Sequence, residues 1–413
     1  MSLIETAKRA QEASNKLAGV SSQIKKKALL AMSDAIEKNS GKILAENKKD
    51  LDSAKGKLNE ALLDRLKVTE KTIREMALGL RQIAGMEDPV GEIIEEKSMP
   101  NGLAVKKVRV PLGVVLVIYE SRPNVTVDTA GLALKAGNAV ILKGGSDAIN
   151  SNKMLAKIIS DAACSAGIPE NSITFIDSTD RKSVDALLTM NRYIDVVIPR
   201  GSNKLIQYIV ENSTVPVIET GEGNCHLYID EDADRAIIEP IVINAKTQRP
   251  GTCNSIEKLL VHKKIAKEVL PGIVRALRKH NVEVIGDEQA RKIDSSLIPA
   301  TEKDWDTEYL DLKIAVKVVD NVDDAISHIN EHNTRHSESI LSKNAENVAK
   351  FMNQVNAAAV YANASTRFTD GFQLGMGAEI GISTQKLHAR GPMGIKELTT
   401  YKLEVFGKGQ VRQ

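Results

Sequence analysis

Over residues 1–90 apolar side chains recur at helical spacing with few β-branched runs, which predicts a helical start. Ile24, Ala28, Met32 and Ile36 repeat every four positions and are expected to line one buried face. From Gly91 to Val110 two short strand-like runs flank Asn101-Gly102, a tight-turn dipeptide, and predict a β-hairpin. A lone charged hairpin buries little of itself. It is expected to pair with a distant strand or to pack on another subunit.

A regular alternation follows. Apolar, β-branched runs at 113–119, 138–143, 172–176, 194–198 and 215–218 are separated by helical segments near 126–136, 147–165, 180–190 and 202–212. Short buried strands joined by helices predict a parallel sheet wound by right-handed crossovers. A second alternation has strand-like 226–229, 255–261, 282–285, 313–319, 338–342 and 357–361, with helical 232–246, 263–279, 322–331 and 344–354. Residues 362–394 read as loop, and Leu398 to Phe406 as one more strand. The pattern is that of two α/β domains in series.

Composition narrows the function. The 413 residues carry 56 Lys+Arg against 54 Asp+Glu, a net charge of +2, which gives no electrostatic reason for a nucleic-acid or anionic-membrane partner. The longest apolar stretch, Val114 to Tyr119, is too short to span a bilayer, and the opening MSLIETAKRAQEASNK mixes charges where a signal peptide needs an apolar core. A soluble, cytoplasmic protein is expected. Three cysteines, none in a CxxC pair, exclude a disulfide scaffold and argue against structural zinc.

Chemistry concentrates in few places. No complete dinucleotide GxGxxG motif is present; Gly221-Glu-Gly-Asn-Cys-His and Gly375-Met-Gly read as turns. In Ala139-Val-Ile-Leu-Lys-Gly-Gly-Ser146 a strand ends at Lys143 and a glycine turn leads to a helix, where backbone N–H groups and Lys143 can meet a phosphate or ribose. An ordinary strand-to-helix turn is equally consistent. Pro199-Arg-Gly-Ser202 is a second such strand end. Cys164 sits in an alanine-rich helix and Cys225 before a strand, both structural positions. Cys253 lies in a polar loop near Lys246 and Arg249, where a thiolate would be stabilised and exposed. His328, His332 and His336 are spaced to share one helix face as metal ligands, but Asn333-Thr334 reads as a helix end and no carboxylate motif accompanies them, so no metal is expected.

Several long blocks resemble one family. PLGVVLVIYESRPNVTVD from Pro111, KAGNAVILKGGSDA from Lys135, NAKTQRPGTCN from Asn244, HINEHNTRHSESI from His328, NASTRFTDG from Asn363 and GAEIGISTQKLHARGPMGIKELTTYK from Gly377 are similar to γ-glutamyl phosphate reductases (glutamate-5-semialdehyde dehydrogenases) of the aldehyde dehydrogenase superfamily. The resemblance implies an aldehyde-dehydrogenase-like α/β fold: an NADPH-binding domain from 1–90 and 111–222, a catalytic thiol domain from 223–395, and an oligomerisation hairpin and C-terminal strand from 91–110 and 396–413.

It also implies reduction of L-glutamyl 5-phosphate by NADPH to glutamate 5-semialdehyde, the second step of proline biosynthesis, through a thioester on Cys253. Asn124 matches the superfamily's oxyanion donor. Glu219 stands where hydrolytic members place a general base, a role less needed when phosphate leaves. Lys143, Gly144, Ser146, Arg200, Gly201, Ser202 and Glu308 are the implied cofactor contacts. Ser146, where an acid would repel a 2′-phosphate, favours NADP over NAD, although Asp147 follows it. Arg122 and Arg367 are candidates for the substrate carboxylate. The resemblance implies a homo-oligomer, dimer or tetramer, and leaves room for association with glutamate 5-kinase. A hydrolytic aldehyde dehydrogenase using Glu219, or a non-catalytic nucleotide-binding protein on the same fold, remain the alternatives.

Overall fold

The computed structural model describes residues 2–58, 60–120 and 122–412, excluding the side chains of Glu60 and Ala61. The chain divides into two compact units: Met1–Glu219 with Met376–Gly381 and Met393–Gln413, and Thr220–Gly375 with Ile382–Pro392.

The first unit opens with helices Leu3–Leu17, Ser22–Lys38, Ser40–Ala54, Glu60–Leu66 and Glu70–Gly85. Ser2 and Ser21 cap the first two by accepting N–H bonds from Glu5 and Ile24, as short hydroxyl side chains do at helix starts. Ala28, Met32 and Ile36 are fully buried, but Ile24 is 37% exposed, against expectation. Lys25 takes the inward position of that turn instead, reaching Asp88 at 2.5 Å and the Lys135 carbonyl at 3.3 Å.

These helices and those that follow cover a parallel sheet in the order Ile173–Phe175, Ala139–Gly144, Val114–Tyr119, Val196–Arg200. Val114–Tyr119 is buried at every position, as a strand sandwiched between helices requires. The run 215–218 does not add a full strand. It makes one bridge, Val217 to Val197, because Pro216 accepts a bond from Val197 N–H but has no N–H of its own to continue the ladder. The hairpin Ile93–Ser98/Ala104–Pro111 pairs with Thr399–Phe406 in an antiparallel sheet. Tyr401, Leu403 and Val405 alternate along that last strand and are more than half exposed.

The second unit is built on a parallel sheet in the order Ile298–Pro299, Glu283–Gly286, Lys313–Val319, Ile256–His262, Cys225–Ile229, Ser337–Leu341, Ala359–Ala362. The histidines do not share one helix: Val322–His332 ends at His332, Arg335 takes a left-handed φ of 61°, and His336 is buried beside the next strand. The whole is α/β, with parallel sheets in both units and a small antiparallel sheet. Among the described residues no helix is long and apolar enough to cross a membrane.

Candidate active site

In the second unit Cys253 lies, half-buried, in the turn between helix Arg235–Thr247 and strand Ile256–His262. The turn is closed by Thr252 N–H and Oγ1 donating to the Arg249 carbonyl (3.3 and 2.7 Å) and by Ser255 N–H donating to the Thr252 carbonyl (3.0 Å). The Cys253 carbonyl accepts the S–H of Cys225 at 3.1 Å. Burial holds the Cys225 thiol well above its ordinary range, so it stays protonated and able to donate.

Gly223 presses on the same carbonyl: a Cβ there would fall 1.4 Å from the Cys253 oxygen and 2.2 Å from its carbonyl carbon. Its own segment is tied down. Gly223 N–H donates to Glu308 Oε1 at 2.7 Å. Thr334 Oγ1 donates to the Glu222 carbonyl (2.6 Å) and accepts Asn224 N–H (2.9 Å), while Asn224 Nδ2 donates to the Trp305 and His332 carbonyls, each at 2.7 Å. Burial pushes the Glu308 carboxyl up to about 7, against the opposing pull of the Gly223 N–H.

Besides Arg249, which is exposed in the turn itself, a second cation reaches it: Arg367, in the short turn Thr366–Phe368. Its Nε donates to Gln248 Oε1 at 2.8 Å and its Nη1 to Thr252 Oγ1 at 2.9 Å, one residue before Cys253. A buried polar chain holds that segment in place. His336 Nδ1 lies 3.8 Å from Cys225 Sγ and 2.8 Å from Ser337 Oγ, which meets Thr369 Oγ1 at 2.6 Å. Asn254 Nδ2 donates to the Thr369 carbonyl (2.8 Å), and Thr366 Oγ1 to the Asn254 carbonyl (2.7 Å).

Lys246 is not the exposed cation the sequence suggests. It turns inward, its Nζ 2.9 Å from Glu257 Oε2, with both side chains fully buried. Breaking such a pair leaves an uncompensated charge. Lys246→Met is expected to cost about 3–5 kcal/mol in urea denaturation, and adding Glu257→Leu to recover most of it.

In the first unit Tyr119 pairs with Gly144 on one side and Arg200 on the other, so the ends of three parallel strands lie together. Strand order reverses at Val114–Tyr119, and open α/β sheets bind ligands at the carboxyl edge of such a switch point. Ser202 heads helix Asn203–Asn212, and its N–H and Oγ donate to the Glu120 carboxylate at 2.7 and 3.3 Å. A Cβ on Gly201 would lie 2.5 Å from Glu120 Oε2. This cradle already holds an anionic group. The other strand end differs: Lys143 is buried, with its Nζ donating to the Gly144 carbonyl at 3.1 Å, and Ser146 is exposed at the turn Ser146–Ala148. The Asn150 and Ser151 N–H groups, at the start of helix Ile149–Ser165, are already bound to Asp50 (3.1 and 2.8 Å).

Arg122, exposed, precedes helix Pro123–Lys135, and Asn124 is its second residue. Asn124 Nδ2 donates to Asp128 Oδ2 at 3.0 Å. Burial pushes the Asp128 carboxyl up to about 6, with Asn124 and the Arg200 charge pulling the other way. Glu219 is half-buried just after Ile218, whose N–H bonds the Val197 carbonyl at 2.9 Å. The structure therefore gathers Cys253, Glu308 and Arg367 in one unit, and Lys143, Gly144, Ser146, Arg200, Gly201, Ser202, Arg122 and Asn124 along one sheet edge of the other.

A family model described as the aldehyde dehydrogenase family matches residues 2–311. γ-Glutamyl phosphate reductase of Caldanaerobacter subterraneus subsp. tengcongensis is 55% identical over 408 residues, covering 98% of this chain and 99% of the relative. The chain belongs to the aldehyde dehydrogenase family, among its γ-glutamyl phosphate reductases. The crystal structure of the Thermotoga maritima γ-glutamyl phosphate reductase superposes with a TM-score of 0.98 at 52% identity, covering 100% of both chains. An acetylating aldehyde dehydrogenase from Geobacillus thermoglucosidasius shares the fold at 18% identity, with a TM-score of 0.72 over 100% of this chain and 97% of that one.

For a member of this family, sequence reasoning passed over four residues. Gly223 reads as one glycine of an ordinary turn, and Cys225 as filler. Glu120 carries no pattern at all, and Asp128 carries only its spacing from Asn124. Their partners are fixed by folding: Cys253 stands 28 positions after Cys225, and Ser202 stands 82 after Glu120. Only Asp128, four residues after Asn124 on a helix, had a readable signal in its spacing.

Proposed function

We propose that this protein reduces L-glutamyl 5-phosphate to L-glutamate 5-semialdehyde with NADPH, releasing phosphate through a thioester on Cys253. The observation that carries the reading is the half-buried Cys253 turn, its carbonyl gripped by Gly223 and Cys225 with the Arg367 guanidinium alongside.

In this reaction the Cys253 sulfur attacks the acyl carbon, the C–O bond to phosphate breaks, and phosphate leaves with the electron pair. A thioester accepts hydride more readily than a carboxylate, so one hard step becomes two easier ones. NADPH, when bound, supplies that hydride. The carbonyl oxygen gains charge in both steps; Asn124 Nδ2 and the Cys253 N–H are the donors assigned to it. Regenerating the Cys253 thiolate releases the aldehyde, and the cycle takes up one proton. Water must not attack the thioester, so the reaction needs no general base at Glu219, which either tunes Cys253 or caps a turn. Arg367 spends Nε and Nη1 on the turn, which orients its remaining donors for the substrate carboxylate, with Arg122 as the second candidate.

The residues at the switch point fit a dinucleotide. Ser202 binds the Glu120 carboxylate at a helix start, the geometry that takes a phosphate, and a phosphate there would replace that carboxylate beside Gly201. Lys143, Gly144 and Arg200 border the same edge, and Glu308 is assigned to the nicotinamide ribose. Exposed Ser146 leaves space for a 2′-phosphate and places no acid at that position, which favours NADPH, with Asp147 beside it opposing. Ser146→Glu should raise KM for NADPH about tenfold more than for NADH; equal losses with both cofactors would remove Ser146 from phosphate recognition. The exposed Tyr401–Leu403–Val405 face is assigned to a homo-oligomer contact. A cytoplasmic setting, where thiols stay reduced, suits the Cys253 nucleophile.

A further inference from the structure

We infer that Asp128 is a positioning residue for this reduction: its carboxylate fixes which way Asn124 presents its amide. The inference rests on the oxyanion role proposed above for Asn124. An asparagine amide has a donating end and an accepting end of nearly the same shape, and its terminal torsion is soft. Only the donating end stabilises an oxyanion; turned over, the same side chain would present oxygen to oxygen. Asp128, four residues on along helix Pro123–Lys135, lies one turn above Asn124, and its Oδ2 accepts the Nδ2 hydrogen at 3.0 Å. An ionised carboxylate accepts only, so it holds Nδ2 and rejects Oδ1. The amide's second N–H is then left with a fixed direction.

The setting makes a packing role a poor account of Asp128. Asp128 is half-buried on a closely buried helix, where Val125, Val127, Ala130, Leu132, Ala133 and Leu134 are at 7% exposure or less and the polar neighbours are Thr126 and Thr129. A carboxylate is costly to desolvate there, and an apolar side chain would fill the place at lower cost. What Asp128 adds is an acceptor aimed at Asn124.

The test is a double-mutant cycle read on kcat and on acyl-enzyme formation, followed as phosphate release stoichiometric with enzyme when L-glutamyl 5-phosphate is added without NADPH. Asn124→Ala should slow both by about 10²–10³-fold. Asp128→Ala should slow both by roughly 10–100-fold, with the NADPH KM and the rate of Cys253 alkylation by iodoacetamide unchanged. Asp128→Asn, whose amide can donate to Asn124 Oδ1 as well as accept from Nδ2, should recover only a small part of the loss, whereas Asp128→Glu keeps an accept-only carboxylate and should recover more. In the double variant, removing Asp128 should cost nothing beyond Asn124→Ala. Should Asp128→Ala fail to fold, Asp128→Leu fills the volume without an acceptor and carries the cycle. A normal rate in the folded Asp128 variant, or losses that multiply in the double variant, would overturn the inference while leaving Asn124 in place. A normal rate in Asn124→Ala would overturn the oxyanion reading itself, and the inference with it.

Discussion

Replacing Cys253 with alanine is expected to take turnover below detection while NADPH binds within about twofold of wild type, since the whole proposed sequence of bonds passes through that sulfur. The fold should survive. The turn is held by its own backbone, by Cys225 on the carbonyl, and by Arg367 on Thr252, none of which uses the Cys253 side chain. Cys253→Ser should be nearly as inactive, because a hydroxyl is a far weaker nucleophile than a thiolate at neutral pH. Cofactor binding followed by fluorescence, beside steady-state turnover, separates lost chemistry from lost structure. Measurable turnover in Cys253→Ala would remove this residue from the mechanism.

The second large effect is expected at a residue with no chemistry of its own. In Gly223→Ala the new methyl would sit 1.4 Å from the Cys253 oxygen and 2.6 Å from its Cα, so one of the two segments must move. The Gly223 side is anchored by Glu308, Thr334 and Asn224, and the Cys253 turn is the more exposed partner. The displacement therefore falls on the nucleophile. Misplacing a reacting group by about 1 Å costs on the order of 10²-fold, and kcat should drop at least that far. The rate of Cys253 alkylation should change in the same variant, while the urea midpoint shifts much less. Near-normal kcat and alkylation would mean that the carbonyl contact does not set the position of the thiol.

Much of this architecture is legible in the chain itself. Short apolar, β-branched runs locate the strands and period-3.6 patterning the helices, because a strand buried on both faces and a helix buried on one stripe each leave a local signature. Asn101-Gly102 announces its hairpin for the same reason. The failures are equally physical. Pro216 looks apolar within 215–218, yet it lacks the N–H a ladder needs. Ile24 reads as the inward residue of its turn, but Lys25 takes that place because Asp88 pairs with it, and Lys246, read as a neighbour of the Cys253 thiolate, pairs instead with buried Glu257. In the site, Cys253 stands out through its polar glycine loop. Gly223 and Cys225 do not, since what makes them matter is a distance across the fold and not a local pattern. The anion cradle shows both sides of this: Pro199-Arg-Gly-Ser202 is readable as a strand end feeding a helix, whereas Glu120 seated in it is not.

The central claim is that phosphate, not water, is the partner of the Cys253 thioester. It is tested by running the reaction backwards: purified protein with glutamate 5-semialdehyde and NADP, with and without inorganic phosphate, following NADPH formation. NADPH formation is expected to require phosphate and to be absent in Cys253→Ala. Sustained NADPH formation without phosphate would contradict it and hand deacylation to water, with Glu219 as the base.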